Sequence, residues 1–77
     1  MTYITREDGI TALSLSNRAA NCLRREGLHT VGDVLDYAQK HNWLDLHSVG
    51  QKTADELTAT VRELQSHEGE YRLVERA

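Results

Sequence analysis

Residues 51–65 carry apolar side chains at positions i, i+3, i+7 and i+10. These are Ala54, Leu57, Val61 and Leu64. This spacing places all four on one side of an α-helix and predicts that this side is buried. Proline, which would interrupt a helix, is absent from the 77 residues, and leucine, alanine and valine recur at helical intervals elsewhere between glycine turns. The sequence therefore predicts an all-α fold.

Two earlier helices are predicted from their end signals. The first begins near Ser16, a good N-cap residue, and ends at Gly27, because glycine takes the left-handed conformation cheaply. The second begins at Thr30, and Asp33 three residues later forms an approximate capping box with it. The apolar stripe of this second helix consists of Val31, Val34, Leu35 and Ala38.

A short helical segment over residues 42–46 is predicted to contribute Trp43, the largest apolar side chain available, to the core. The expected domain covers residues 16–65 and is a compact bundle of four to five short helices. Residues 1–15 are predicted to form an extended arm, and residues 66–77 a loose tail. The arm side chains expected to dock on the core are Ile10, Leu13 and Leu15.

Composition limits the class of protein. An apolar content of 39% suits one small core. The formal charge of −3 shows no overall basic character, so any nucleic-acid surface must be local. A single cysteine, Cys22, excludes an internal disulfide. No apolar run has the length of a membrane span, and the charged start MTYITREDGI is unlike a secretory signal. We expect a cytoplasmic monomer without a membrane partner.

One side of the first predicted helix is polar and basic. Arg18, Asn21, Cys22 and Arg25 fall at i, i+3, i+4 and i+7, whereas Ala19, Ala20 and Leu23 share the other side. Taken alone, this arrangement is typical of a solvated helix face.

The stretch HSVGQK, residues 47–52, precedes the last helix and has features that suit anion binding. Gly50 has no side chain to block the approach of a phosphate, Lys52 supplies a cation, and the first helical turn leaves N–H groups unpaired. The segment LHSVGQKTADEL is similar to a helix–hairpin–helix motif. The related stretch LHTVGDV, residues 28–34, has an aspartate in place of the cation and is assigned to packing.

Other kinds of site have little support. Cys22, His29, His41 and His47 lack the close paired spacing of a structural zinc site, so we expect no metal and no cofactor. No base or orienting group accompanies Cys22, so we expect no enzyme. Cys22 is instead predicted to be a small, half-buried residue.

The segments LSLSNRAANCLRREGLHTVGDVL and LHSVGQKTADELTATVREL, in this order, resemble the C-terminal domain of the bacterial RNA polymerase α subunit over roughly residues 10–64. The resemblance implies a non-catalytic helical unit on a flexible linker. It also implies binding in the minor groove of A+T-rich DNA upstream of promoters, and contact with RNA polymerase or transcription activators.

Family positions transfer residue by residue. Arg18 matches the arginine that enters the groove, and Glu56 matches an acidic position of the last helix. The residues that the resemblance assigns to DNA contact are Arg18, Asn21, Cys22, Arg24, Gly50, Lys52 and Thr53. Possible protein contacts are Glu56, Asp36, Lys40 and Asp45.

The sequence also departs from the family. Thr11, Ala12 and Ser14 stand where the family has an acidic segment facing the σ factor, and Gln51 replaces an often basic residue. Residues 36–45 match poorly. An alternative function is therefore a protein-interaction module with the same fold and little DNA affinity. Two origins stay open: an excised domain, or a free-standing regulatory homologue of bacterial or phage origin.

Overall fold

Three α-helices pack together with a two-stranded parallel sheet in this computed structural model, which describes residues 2–66 and 71–74. In sequence order the elements are β1 (Thr2–Thr5), a 3-10 turn (Ile10–Ala12), α1 (Asn17–Arg25), α2 (Val31–Lys40), a second 3-10 turn (Trp43–Asp45), α3 (Gln51–Ser66) and β2 (Tyr71–Val74). Within the described part of the chain, no helix is both long and apolar enough to cross a membrane.

The predicted helix ends are confirmed. The hydroxyl oxygen of Ser16 accepts a hydrogen bond from the N–H of Ala19 at 3.2 Å, and Gly27 has a φ of 78° beyond the end of α1. At the start of α2 the Thr30 hydroxyl and the Asp33 carboxylate form the reciprocal capping box. The N–H groups of His29 and Thr30 donate to that carboxylate and hold the pKa of Asp33 below its ordinary value.

The predicted core is also confirmed, except that Ala38 of α2 is only half-buried against it. The apolar positions of α3 are all buried, as are Val31, Val34 and Leu35 of α2. Trp43 is 4% exposed, and its ring stacks on that of Tyr37 with centroids 5.0 Å apart. The arm residues expected to dock do so: Ile10 and Leu13 are buried, and Leu15 packs against the core.

The prediction of an all-α fold is wrong, because a strand lies near each end of the described residues. Residues 71–74 of the predicted loose tail form one of these strands, and residues 67–70 and 75–77 of that tail lie outside the described residues. β1 and β2 pair in parallel, with Thr2 opposite Tyr71 and Thr5 opposite Val74. Ile4 is 0% exposed and Tyr71 is 5% exposed, so each strand contributes a side chain to the core. The Tyr71 hydroxyl also accepts a hydrogen bond from the N–H of Ser14. Burial of these side chains stabilises the pairing, and the fold is mostly helical with a small sheet.

The prediction of four to five helices containing a helix–hairpin–helix motif is also wrong. α2 ends at Lys40, and His41 is extended, with φ −139° and ψ 163°. The next segment is a single 3-10 turn because the Asn42 side chain accepts from the N–H of Leu44 while the Asp45 carboxylate accepts from the N–H of Asn42. Only one α-helix therefore borders the turn that precedes α3.

The N-terminal arm is held against the start of α2. The N–H of Ile10 donates to the carbonyl of His29 at 3.0 Å, and that of Gly32 donates to the carbonyl of Arg6 at 2.8 Å. The guanidinium of Arg6 forms an ion pair with Asp36. A Cβ at position 32 would lie 3.0 Å from the Arg6 carbonyl oxygen, so glycine permits this close approach. The assignment of LHTVGDV to packing is confirmed.

Candidate nucleic-acid interface

An open groove of about 650 Å³ lies between α1 and the amino end of α3. Its lining residues come from α1 and from the segment that leads into α3: Arg18, Asn21, Cys22, Arg25, Ser48, Gly50, Gln51, Lys52 and Thr53. None of them is acidic. The groove thus brings together six of the seven residues assigned to DNA contact, although the two groups are about thirty residues apart in sequence.

The α1 side of the groove has an exposed rim and a buried floor. Arg18 and Asn21 are exposed. Cys22 is only 6% exposed, more buried than predicted, and its thiol donates to the carbonyl of Ser48 at 3.3 Å. This contact joins α1 to the turn before α3. Cys22 therefore forms part of the floor and helps to set the width of the groove.

The α3 side consists of a helix start and one cation. The N–H of Ala54 donates to the carbonyl of Gly50 at 2.9 Å, which leaves the N–H groups of the preceding residues without helical partners. A Cβ at Gly50 would have no neighbour within 4 Å, so the surface there is open. Lys52 is exposed, whereas Thr53 is 6% exposed and belongs to the floor.

The groove has a local positive charge on a protein whose formal charge is −3. Within residues 2–66 and 71–74, the side chains of Arg18, Arg25 and Lys52 have no hydrogen-bond or ion-pair partner. The side-chain amide of Gln51 donates to the carboxylate of Asp55 at 2.9 Å. Three cations that lack a partner among the described residues, together with a helix start, therefore face one concave surface, an arrangement that favours a polyanion.

Arg24 is the predicted contact that the groove does not include. Its guanidinium donates to the side-chain oxygen of Asn21 at 3.3 Å. Its neighbour Arg25 lines the groove instead. Arg18 and Arg25 are seven residues apart, and this spacing predicts that they lie on the same side of α1. The match to the family instead selects Arg24 as the second arginine.

The four predicted protein contacts are largely engaged within the domain. The Glu56 carboxylate accepts from the backbone N–H of Ser16 at 2.7 Å and from its hydroxyl at 2.8 Å, which ties α3 to the start of α1. Asp36 pairs with Arg6, and Asp45 caps the second 3-10 turn. Lys40 is exposed in the last turn of α2.

A second groove, of about 360 Å³, separates the carboxyl end of α2 from α3. It is lined by Ala38, His41, Asn42, Trp43, Thr58, Val61, Arg62 and Gln65. The Tyr37 ring packs beside it, between those of His41 and Trp43. Partial burial raises the pKa of Tyr37 above its ordinary value, and the negative charges of Asp45 and Glu26 raise it further.

The histidines and the cysteine form no metal centre in the part of the protein that the structure describes. No three histidine, cysteine, aspartate or glutamate side chains converge there in a way that could hold an ion.

Known sequences give an independent comparison. Residues 4–63 match the family described as the C-terminal domain of the bacterial RNA polymerase alpha chain. The protein is 42% identical over 62 residues to the DNA-directed RNA polymerase subunit alpha of Porphyra purpurea, a match that spans 73% of this sequence and 20% of that protein. It is 45% identical over 53 residues to the subunit of Thalassiosira pseudonana, spanning 69% and 17%.

A bacterial relative gives the same result. Identity to the subunit alpha of Kineococcus radiotolerans is 44% over 50 residues, spanning 65% of this sequence and 14% of that protein. The 77 residues span about a fifth or less of the length of these relatives. No solved structure is a significant match. By the family match and the identities, the protein belongs to the family of the C-terminal domain of the bacterial RNA polymerase alpha subunit.

Proposed function

We propose that this domain is a non-catalytic transcription module that binds the minor groove of A+T-rich duplex DNA through the groove between α1 and α3. The observation that carries the proposal is the convergence of Arg18 and Asn21 from α1 with Gly50 and Lys52 from the start of α3. Membership of a polymerase family supports a role in transcription.

The chemistry of the groove fits this ligand. The minor groove of A+T-rich DNA is narrow and has an enhanced negative potential, which attracts an inserted arginine. Arg18 is exposed and has no partner within the described residues, so its guanidinium can enter without breaking an internal ion pair. In this proposal, Lys52 and the N–H groups at the start of α3 bind phosphates beside it.

Two variants test these roles. Arg18→Ala should remove the preference for A+T-rich over G+C-rich duplex, because it removes the side chain that reads groove width. Lys52→Ala should weaken binding to both duplexes about equally and flatten the salt dependence, because a phosphate contact has no base information.

The experiment is a titration of wild type and both variants against the two duplexes at two salt concentrations. Circular dichroism confirms that each variant is folded. A wild-type domain that binds both duplexes equally, or a folded Arg18→Ala that keeps the A+T preference, would rule out reading of the minor groove.

The second groove supports a second candidate function, contact with RNA polymerase or an activator. Its floor includes Trp43 and Val61, and its rim has Arg62, which has no partner in residues 2–66 and 71–74. Two apolar side chains beside a cation that has no partner among the described residues suit a protein segment that carries a carboxylate. The test is a crosslinked pull-down of polymerase subunits with wild type, Arg62→Glu and Arg18→Ala.

The variants separate the two functions. Protein contact through the second groove predicts that Arg62→Glu loses the recovered subunits while Arg18→Ala keeps them. If wild type recovers no polymerase subunit or transcription factor, or if Arg62→Glu recovers as much as wild type, this second function is wrong.

A further inference from the structure

We propose that Arg25, rather than its neighbour Arg24, is the second arginine of α1 that contacts DNA, and that it binds a phosphate beyond the edge of the minor groove. This inference rests on the proposed function of the α1–α3 groove. The match to the family assigns contact with DNA to Arg24. The inference assigns this contact to Arg25 instead.

Helix geometry separates the two arginines. An α-helix turns by about 100° per residue, so Arg25 lies about 20° around the axis from Arg18, whereas Arg24 lies about 120° away. In agreement, Arg25 lines the groove and Arg24 does not. Arg24 instead donates to Asn21 at the groove rim.

Arg25 is also available to a ligand. It is exposed, and no hydrogen-bond or ion-pair partner exists for it among the residues that the structure describes. The adjacent carboxylate of Glu26 does not line the groove, and its charge acts on Tyr37 of α2. Binding a phosphate would therefore cost Arg25 no ion pair with any residue that the structure describes.

The distance along α1 indicates which part of the DNA Arg25 reaches. Seven residues correspond to about 10.5 Å of helix. The minor groove is only about 6 Å wide. With Arg18 inserted and α1 crossing the groove, a guanidinium this far away lies over the sugar–phosphate backbone. Arg25 should therefore add affinity without adding base preference.

The test compares Arg25→Gln with Arg24→Gln on A+T-rich duplex from about 50 to 200 mM salt. The two substitutions change net charge equally, and both lie in the last turn of α1, so each loses a similar interaction with the helix dipole. The long-range electrostatic attraction to DNA is therefore the same in both variants. A difference between their DNA affinities reports the local contact of the arginine with DNA. Circular dichroism serves as the folding control.

The affinity of wild type for DNA falls as salt rises, and we expect this loss of affinity to be about 3.5-fold smaller for Arg25→Gln. Each phosphate contact contributes about 0.9 to the slope of log affinity against log salt, and a fourfold change in salt raised to the power of about 0.9 is about 3.5. Arg24→Gln should change this loss much less, and both should keep the A+T preference. Equal salt dependences for the two variants, a wild-type slope for Arg25→Gln, or a lost A+T preference in Arg25→Gln would overturn the inference. Absence of wild-type DNA binding would instead refute the proposed function itself.

Discussion

Substitution of Gly32 by alanine should destabilise the domain, because α2 and the N-terminal arm approach closely at this residue. Alanine is intrinsically favoured over glycine in a helix by about 1 kcal/mol. Against this, the new Cβ would lie 3.0 Å from the Arg6 carbonyl oxygen and 3.2 Å from the Arg6 Cβ. The carbonyl oxygen belongs to the backbone, so it cannot move away by a change of rotamer. The arm must shift.

The shift weakens the 2.8 Å hydrogen bonds that Val31 and Gly32 donate to the carbonyls of Asp8 and Arg6. Each such bond contributes about 1 kcal/mol, and overpacking of a buried site typically costs about 1 to 3 kcal/mol. The overpacking cost less the propensity gain is about 0 to 2 kcal/mol, and the weakened hydrogen bonds add about 1 kcal/mol in total, which gives a net loss of about 1 to 3 kcal/mol. For a domain of this size that corresponds to a fall in Tm of very roughly 4 to 24 °C.

Urea unfolding, followed by the fluorescence of Trp43, measures the change. Gly50→Ala is the matched control, since its Cβ would meet nothing within 4 Å and its φ is not left-handed. Its stability should change by no more than about 0.5 kcal/mol. Amide hydrogen exchange at Val31 should accelerate in Gly32→Ala alone. A Gly32→Ala variant as stable as Gly50→Ala would refute the close approach of arm and helix.

Three further predictions concern stability. Glu56→Gln should lower the free energy of unfolding by about 1 kcal/mol, because Glu56 accepts two hydrogen bonds from Ser16. A double-mutant cycle with Ser16→Ala should show a coupling energy above about 0.5 kcal/mol, and additive effects of the two substitutions would contradict these hydrogen bonds. Because the folded-state pKa of Asp33 is lowered, its carboxylate stabilises the fold above the unfolded pKa and loses this effect as pH falls through the folded pKa. The stability advantage of wild type over Asp33→Asn should therefore shrink from about pH 5 to about pH 2 in urea melts, and a constant difference would contradict this. Trp43→Ala should cost roughly 3 to 5 kcal/mol by calorimetry, and a loss below about 1 kcal/mol would contradict burial of the ring.

The helices can be predicted from the sequence because their signals are local. Ser16, Thr30 and Gly27 mark helix ends by chemistry that acts within a few residues, and the spacing of Leu57, Val61 and others marks the buried side. The sheet has no such signal. Its two strands come from opposite ends of the described residues, so no hairpin turn announces their pairing, and four residues are too few for a period to stand out.

The candidate site is predictable only in part. A division of α1 into an apolar and a polar side puts Cys22 with the polar residues, although it lies only about 60° from Ala19 around the helix. Contact with Ser48 buries it, and that contact depends on how α1 packs against the segment before α3. The meeting of Arg18 with Lys52 likewise depends on tertiary packing, and the family resemblance, rather than local pattern, leads to it.

Amide chemical shifts of the labelled domain during titration with A+T-rich duplex test most directly where DNA binds. Binding in the α1–α3 groove predicts that the largest changes fall at Arg18, Asn21 and the start of α3 near Lys52. Changes near Trp43 and Arg62, in the second groove, should be small. If the largest changes instead map to the second groove, or if no amide shifts with the duplex at low salt, the α1–α3 groove is not a DNA-binding surface.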